Sequence, residues 1–146
     1  MAMEQWNGYE EFVDSLQLRG IFLDGLTANL ERLALSQGGE DAELHVSAKQ
    51  ETDVKVIGDR VLVAQVRFSV TARIQGVRKA FGRVKVSFDI VLGNCDALPD
   101  EYADRFKANM AHIAWPYMRE IVESIAMRSA LPIPIAPLMP VTATSG

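Results

Sequence analysis

The sequence predicts an α+β fold: a four-stranded antiparallel sheet with a short N-terminal helix and a long C-terminal helix. Three observations carry this. Two stretches alternate apolar and polar residues: Leu62, Ala64, Val66, Phe68, Val70, Ala72 and Ile74, then Val84, Val86, Phe88, Ile90 and Leu92. That is the period of a strand with one buried face. Tyr102, Phe106, Met110, Ile113 and Tyr117 then recur at helical spacing. Finally, the strands come together and the long helix follows, rather than alternating with them.

Residues 4–16 read as an amphipathic helix, with Trp6, Tyr9, Phe12, Val13 and Leu16 on one side and Glu4, Glu10, Glu11 and Asp14 opposite. The sheet is expected over 16–92. In its first strand, Leu16 to Leu26, the residues Leu16, Leu18, Ile21 and Leu23 alternate loosely, and the skip at Arg19-Gly20 predicts a bulge, because glycine permits the backbone angle a bulge needs. Residues 27–42 read as a crossover connection with scattered leucines. Leu44, Val46 and Ala48 begin the second strand, and Val54 and Val56 resume it after a polar interruption. Gly58-Asp59 marks a hairpin and Gln75-Gly76 the next turn.

The long helix is expected over 97–129. Pro99 suits its first turn, and Asp100 and Glu101 suit the positive end of its dipole. Pro116 is expected to break it. Beyond that point Ile121, Val122, Ile125 and Met127 spread round more than one stripe. A helix apolar on several sides expects several neighbours, and in a chain this small one of them is another subunit. Tyr102, Phe106, Met110, Ile113, Tyr117 and Ile121 form the expected oligomer interface.

Residues 130–146 carry no charge and hold four of the six prolines, Pro132, Pro134, Pro137 and Pro140. Such a tail is neither helix nor central strand. Leaving Leu131, Ile133, Ile135, Leu138 and Met139 in water is costly, at about 25 cal/mol per Å² of apolar area. They are expected to pack on the body or to wall a groove.

At 146 residues and 49% hydrophobic, the chain suits one domain over 1–146. The net charge of −4 disfavours nucleic acid as a partner. No apolar run reaches the roughly 18 residues that span a bilayer. The acidic start, Met1-Ala2-Met3-Glu4-Gln5, lacks a signal-peptide core, and the lone Cys95 points to a reducing cytoplasm.

No convergent catalytic set can be assembled. His45 and His112 have no second ligand at metal spacing. Cys95 has no evident base, and Asp89 reads as paired across strands. Neither a metal nor a cofactor is expected. A small-molecule α+β enzyme of isomerase or thioesterase type stays open as an alternative. It would need His45 or Asp24 inside an apolar cavity. A structural adaptor is a third reading.

Pro116-Tyr117-Met118-Arg119-Glu120, in mid-helix, followed by Arg128 and then Leu131-Pro132, resembles the SecB-type chaperones. Their long helix carries a Pro-Tyr-x-Arg-Glu segment, here Pro116, Tyr117, Arg119 and Glu120, and Ala136-Pro137 is similar to an Ala-Pro pair that follows it. The resemblance covers roughly residues 16–140. It implies a Greek-key sheet whose first strand returns beside the fourth, and a homotetramer built as a dimer of dimers. It implies ATP-independent binding of unfolded chains in apolar grooves. Carried over by residue, one wall is Ile21, Phe22, Leu26, Leu30 and Leu33, and the other is Leu131, Ile133, Ile135 and Leu138.

Three departures refine this. The family's second C-terminal helix follows an Asn-Phe pair, where this chain has Met139-Pro140. The helix at 4–16 has no counterpart in typical export chaperones. Export chaperones dock the SecA motor through carboxylates on the outer sheet face, whereas this chain shows Arg67, Arg73, Arg83 and Lys85, with Arg83 at a docking-Glu position. The resemblance therefore implies an antitoxin-type or general chaperone, like the solitary relatives that accompany toxin–antitoxin pairs. A role in protein export through SecA is the alternative.

Overall fold

The computed structural model describes residues 2–31 and 43–129. Most of the expected crossover, with Leu33, lies outside these residues, as does the whole tail with Leu131, Ile133, Ile135 and Leu138. The elements are helix α1 (Ala2–Ser15), strands β1 (Gln17–Leu30), β2 (Leu44–Val56), β3 (Leu62–Ile74) and β4 (Gly82–Gly93), and helix α2 (Ala103–Ser129). A 3-10 turn at Asp100–Tyr102 leads into α2.

The sheet order is β1-β4-β3-β2, with every neighbouring pair antiparallel. The first strand thus returns beside the fourth, as a Greek key requires. Two hairpins join β2, β3 and β4. The first turns at Gly58, Asp59 and Arg60, all at positive φ, which suits Gly and Asp better than Arg. The second turns at Gly76, at φ +85°.

Alternation decides the two faces. In β3 and β4 the inward set is Leu62, Ala64, Val66, Phe68, Val70, Ala72 and Ile74, with Val84, Val86, Phe88, Ile90 and Leu92, all buried. From α2, Phe106, Met110, Ala111, Ala114, Trp115, Met118 and Val122 close over them. Phe68 stands at the centre, 5.7 Å from the Trp115 ring and 6.4 Å from Phe88. Ring pairs at these separations add to the area they bury.

Four details differ from the sequence reading. Strand β1 runs on to Leu30, because Thr27 to Leu30 pair with Lys85 to Gly82 despite weak strand formers there. Strand β2 is unbroken: Gln50 and Thr52 face inward opposite Phe68 and Val66, and the Thr52 hydroxyl donates to Gln50 Oε1 at 3.0 Å. The long helix begins only after Pro99, and it continues through Pro116 without a break. Pro116 and His112 are both exposed, so the carbonyl that loses its partner lies on the solvent side. Lastly, Phe106 and Met110 are 0% and 3% exposed within the single chain, packed on their own sheet. They have no surface left for another subunit, whereas Ile113 and Tyr117 do.

Helix α1 docks on the start of α2. Tyr9 stacks edge-on to Tyr102 at 5.4 Å, and Phe12 meets Phe106 at 5.9 Å. Asn109 Nδ2 donates to the Tyr9 hydroxyl, and the Arg105 guanidinium lies 4.9 Å from the Tyr9 ring.

Candidate functional site

Helix α2 packs across β2, β3 and β4, and β1 receives less of it than any other strand. The register then shows what β1 leaves open. Residues directly opposite in an antiparallel pair share a face. Leu18, Ile21, Leu23, Leu26, Ala28 and Leu30 lie opposite Leu92, Ile90, Phe88, Val86, Val84 and Gly82, so they stand on the inward, helix-bearing face. Two register shifts hold them there, one at Arg19 and one at Asp24. Each inserts one residue and restores the apolar side chains to the same face.

This inward face of β1 is apolar but uncovered. Leu18, Leu23 and Leu26 are 54%, 53% and 47% exposed. Across from them α2 presents Ile113 and Tyr117, also exposed, with the Tyr117 ring 6.3 Å from Phe88. The result is an apolar strip walled by β1 and α2 and floored by β4.

Of the expected groove residues, Ile21, Leu26 and Leu30 lie on this strip. Ile21 and Leu30 are half-buried and Leu26 is open. Phe22 lies on the opposite face, opposite Asp89 and alongside Gly20. The structure therefore separates Ile21 from Phe22. It adds Leu18 and Leu23, which the alternation of the first strand groups with Ile21 but the resemblance did not assign to the groove; the Leu23-Asp24-Gly25-Leu26 spacing was the available signal for the second bulge. In the Pro-Tyr-x-Arg-Glu segment, Tyr117 borders the strip, while Pro116, Arg119 and Glu120 point outward. Arg119 reaches Glu123 at 4.0 Å on the surface.

The outer face of the sheet is not uniformly basic, contrary to expectation. Arg67 is paired with Asp53 and Glu51. Gln65 Nε2 donates to Asp24 Oδ2 at 3.1 Å and reaches Asp89 at 3.5 Å. Burial, then the Asp24 charge, push the Asp89 carboxyl above its ordinary pKa, against the opposing effect of Gln65. His45 is exposed near Glu43, and Asp24 is exposed on the same outer face. Neither sits in an apolar cavity, which is where isomerase or thioesterase chemistry would need it.

Cys95 is buried where the end of α1 meets the β2–β3 turn. A hollow there is lined by Phe12, Ser15, Arg60, Asn94, Cys95, Asp96 and Ala97. Arg60 Nε donates to Asp96 Oδ1 at 2.8 Å and the Cys95 amide donates to the Arg60 carbonyl at 2.9 Å. Desolvation pushes the thiol's pKa up, so it is not an activated nucleophile. Among the described residues no cluster of His, Cys, Asp and Glu could hold a metal, and no helix is long and apolar enough to cross a membrane.

No family model and no curated protein sequence matches the chain. Solved structures do. One is the Mycobacterium tuberculosis Rv1957 SecB-like chaperone, in complex with a ChAD peptide from the Rv1956 HigA1 antitoxin. The TM-score is 0.72 at 16% identity, over 92% of this chain and 98% of that one. With the Greek-key order and the long helix across one sheet face, the chain has the fold of the SecB-like chaperones.

Proposed function

We propose that this protein is an ATP-independent holdase that binds unfolded polypeptide segments along the strip between β1 and α2. The observation that carries this is the uncovered inward face of β1. Three leucines about half exposed in a row on one strand are more than a scattered apolar surface. The bound peptide in the mycobacterial structure supports the same reading, since that fold there engages an antitoxin-derived segment. An antitoxin or a general set of aggregation-prone chains is the favoured client class. Delivery to SecA is disfavoured, because Arg83 and Lys85 on the outer face would repel a partner built to meet carboxylates. In this reading Ile113 and Tyr117 of α2 form the second wall of the strip, and Ile121 faces another subunit in a cytoplasmic homotetramer.

The magnitudes are modest. Fully burying a leucine is worth about 1.5–3 kcal/mol, so each half-exposed one has about 1 kcal/mol still to gain. Leu18, Leu23 and Leu26 together offer about 3 kcal/mol. Part of that is offset by the cost of ordering the client. One strip therefore binds weakly, and repeated strips on one assembly raise the affinity of a long client.

The test is a Leu23→Asp/Leu26→Asp variant. It removes about 2 kcal/mol of contact and adds the cost of covering two carboxylates, for a total on the order of 3 kcal/mol, or about a hundredfold in affinity. It should keep the wild-type mass by light scattering and fail to suppress aggregation of a denatured client. Normal protection would overturn the assignment. Dissociation into monomers would show instead that the strip is a subunit interface.

A further inference from the structure

The outer sheet face carries a second surface with the opposite chemistry. Its rungs can be read across the register. One rung is Asp53, Gln65, Asp89 and Phe22, and the next is Glu51, Arg67, Ser87 and Gly25. In these two rungs the charges meet partners: Arg67 pairs with Asp53 and Glu51, and Gln65 serves Asp24 and Asp89.

The following rungs change character. Lys49, Ser69, Lys85 and Thr27 lie side by side, then Ser47, Thr71, Arg83 and Asn29, then His45 and Arg73. Four cations stand here among hydroxyls and an amide, and the rungs contain no acidic residue. Among the described residues Lys49, Arg83 and Lys85 are exposed and make no ion pair, and Arg73 donates to the Arg78 carbonyl at 2.9 Å, whereas Arg67, Arg60, Lys79 and Arg119 are each ion-paired. A depression of about 690 Å³ begins at Lys49, Ser69 and Lys85 and runs into the paired rung, where Glu51, Arg67 and Ser87 line its other side. A sheet face that, among the described residues, pairs its cations with carboxylates in one half and not in the other has an electrostatic surface suited to an anion.

We propose that this basic band docks an acidic, extended polypeptide segment of another protein. Strands stand roughly 4.8 Å apart, so Lys49 and Lys85 flank Ser69 at roughly 10 Å from each other. Along β4, Arg83 and Lys85 are roughly 7 Å apart, the spacing of alternate side chains on an extended peptide. Carboxylates at every second position of such a segment meet these cations, and Ser69, Thr71 and Thr27 can donate to their remaining lone pairs. A nucleic-acid backbone fits less well. The band ends at the acidic rung, it offers no aromatic ring for bases to stack on, and the whole chain is negative. The band lies on the opposite sheet face from the apolar strip, so an acidic partner and an unfolded client are held without competing. The proposal rests on the charge pattern and is independent of the client reading.

The experiment uses the full chain and a fluorescein-labelled decaglutamate peptide, followed by anisotropy at low ionic strength. Binding should weaken steeply with salt, because exposed charges are screened. A Lys49→Thr/Arg83→Thr/Lys85→Thr variant should lose about tenfold or more in affinity. A Lys107→Gln/Arg119→Gln/Arg128→Gln variant changes the net charge equally on α2 and should bind like wild type. The proposal is overturned if the α2 variant loses as much as the band variant, if no binding is seen, or if a ten-nucleotide oligo-dT binds more tightly than the peptide.

Discussion

Replacing Tyr9 by alanine tests how α1 is held and what it covers. Tyr9 is 5% exposed, stacked on Tyr102, covered by Arg105 and hydrogen-bonded by Asn109. Truncating a buried aromatic costs about 3–5 kcal/mol. A helix of this length has little stability of its own in water, so undocking and unfolding of α1 are one event. Tyr9 lies at the margin of the sheet core, against Tyr102 at the start of the long helix and not among the strands, so the loss should be local rather than global. Cys95 reports it. The chain has one cysteine, 1% exposed, in the hollow that Phe12 and Ser15 help to line. If docking is worth about 3 kcal/mol, Tyr9→Ala raises the open population by about a hundredfold. Maleimide labelling of Cys95 should accelerate to that extent. Release from burial also removes the desolvation that holds the thiol's pKa up, which adds to the rate. Amide protection in β3 and β4 should be unchanged. An unaltered labelling rate, or loss of protection throughout the sheet, would refute this reasoning.

Two further outcomes concern stability. Asp89 has a raised pKa in the folded state, so its contribution favours folding below its unfolded-state pKa and is lost as pH rises through the folded-state value. Asp89→Asn should therefore raise Tm at pH 7, with the gain shrinking as pH falls through the carboxylate range; a lower Tm at pH 7 would contradict this. Pro116→Ala restores an amide donor toward the His112 carbonyl in a helix that is already continuous, and should stabilise the protein by about 1–3 kcal/mol in urea unfolding; destabilisation would show that the proline is accommodated by a local geometry that alanine loses.

What was legible in the sequence follows from what each segment answers to. Strands β3 and β4 sit at the centre of the sheet, where burial imposes a strict period of two, and both their alternation and their turns could be read directly. The first bulge was readable because Arg19-Gly20 interrupts that period. Strand β1 is an edge strand with two bulges, so its inward set skips from Leu18 to Ile21 and from Leu23 to Leu26. A single period cannot describe it; the alternation with one skip picks out Leu18, Ile21 and Leu23, whereas the resemblance groups Phe22 with Ile21 although they face opposite ways. The continuation to Leu30 depends on pairing with β4, which local propensity does not contain. Helix α2 looked broken at Pro116 because proline is costly in a helix interior. An exposed position next to solvent makes that cost bearable where tertiary packing holds the rest. The outer face looked basic because Arg67, Arg73, Arg83 and Lys85 fall on two strands, β3 and β4, whereas the acids that neutralise Arg67 come from β2 and become its neighbours only through register.

The central claim is that unfolded segments lie on the inward face of β1. Positions 22 and 23 are adjacent in sequence and face opposite sides of the sheet. A photo-crosslinker placed at one position and then the other, in the presence of a denatured client, separates the two faces within one residue. The account predicts efficient crosslinking from position 23 and little from position 22. Equal yields from both, or a higher yield from position 22, would contradict it.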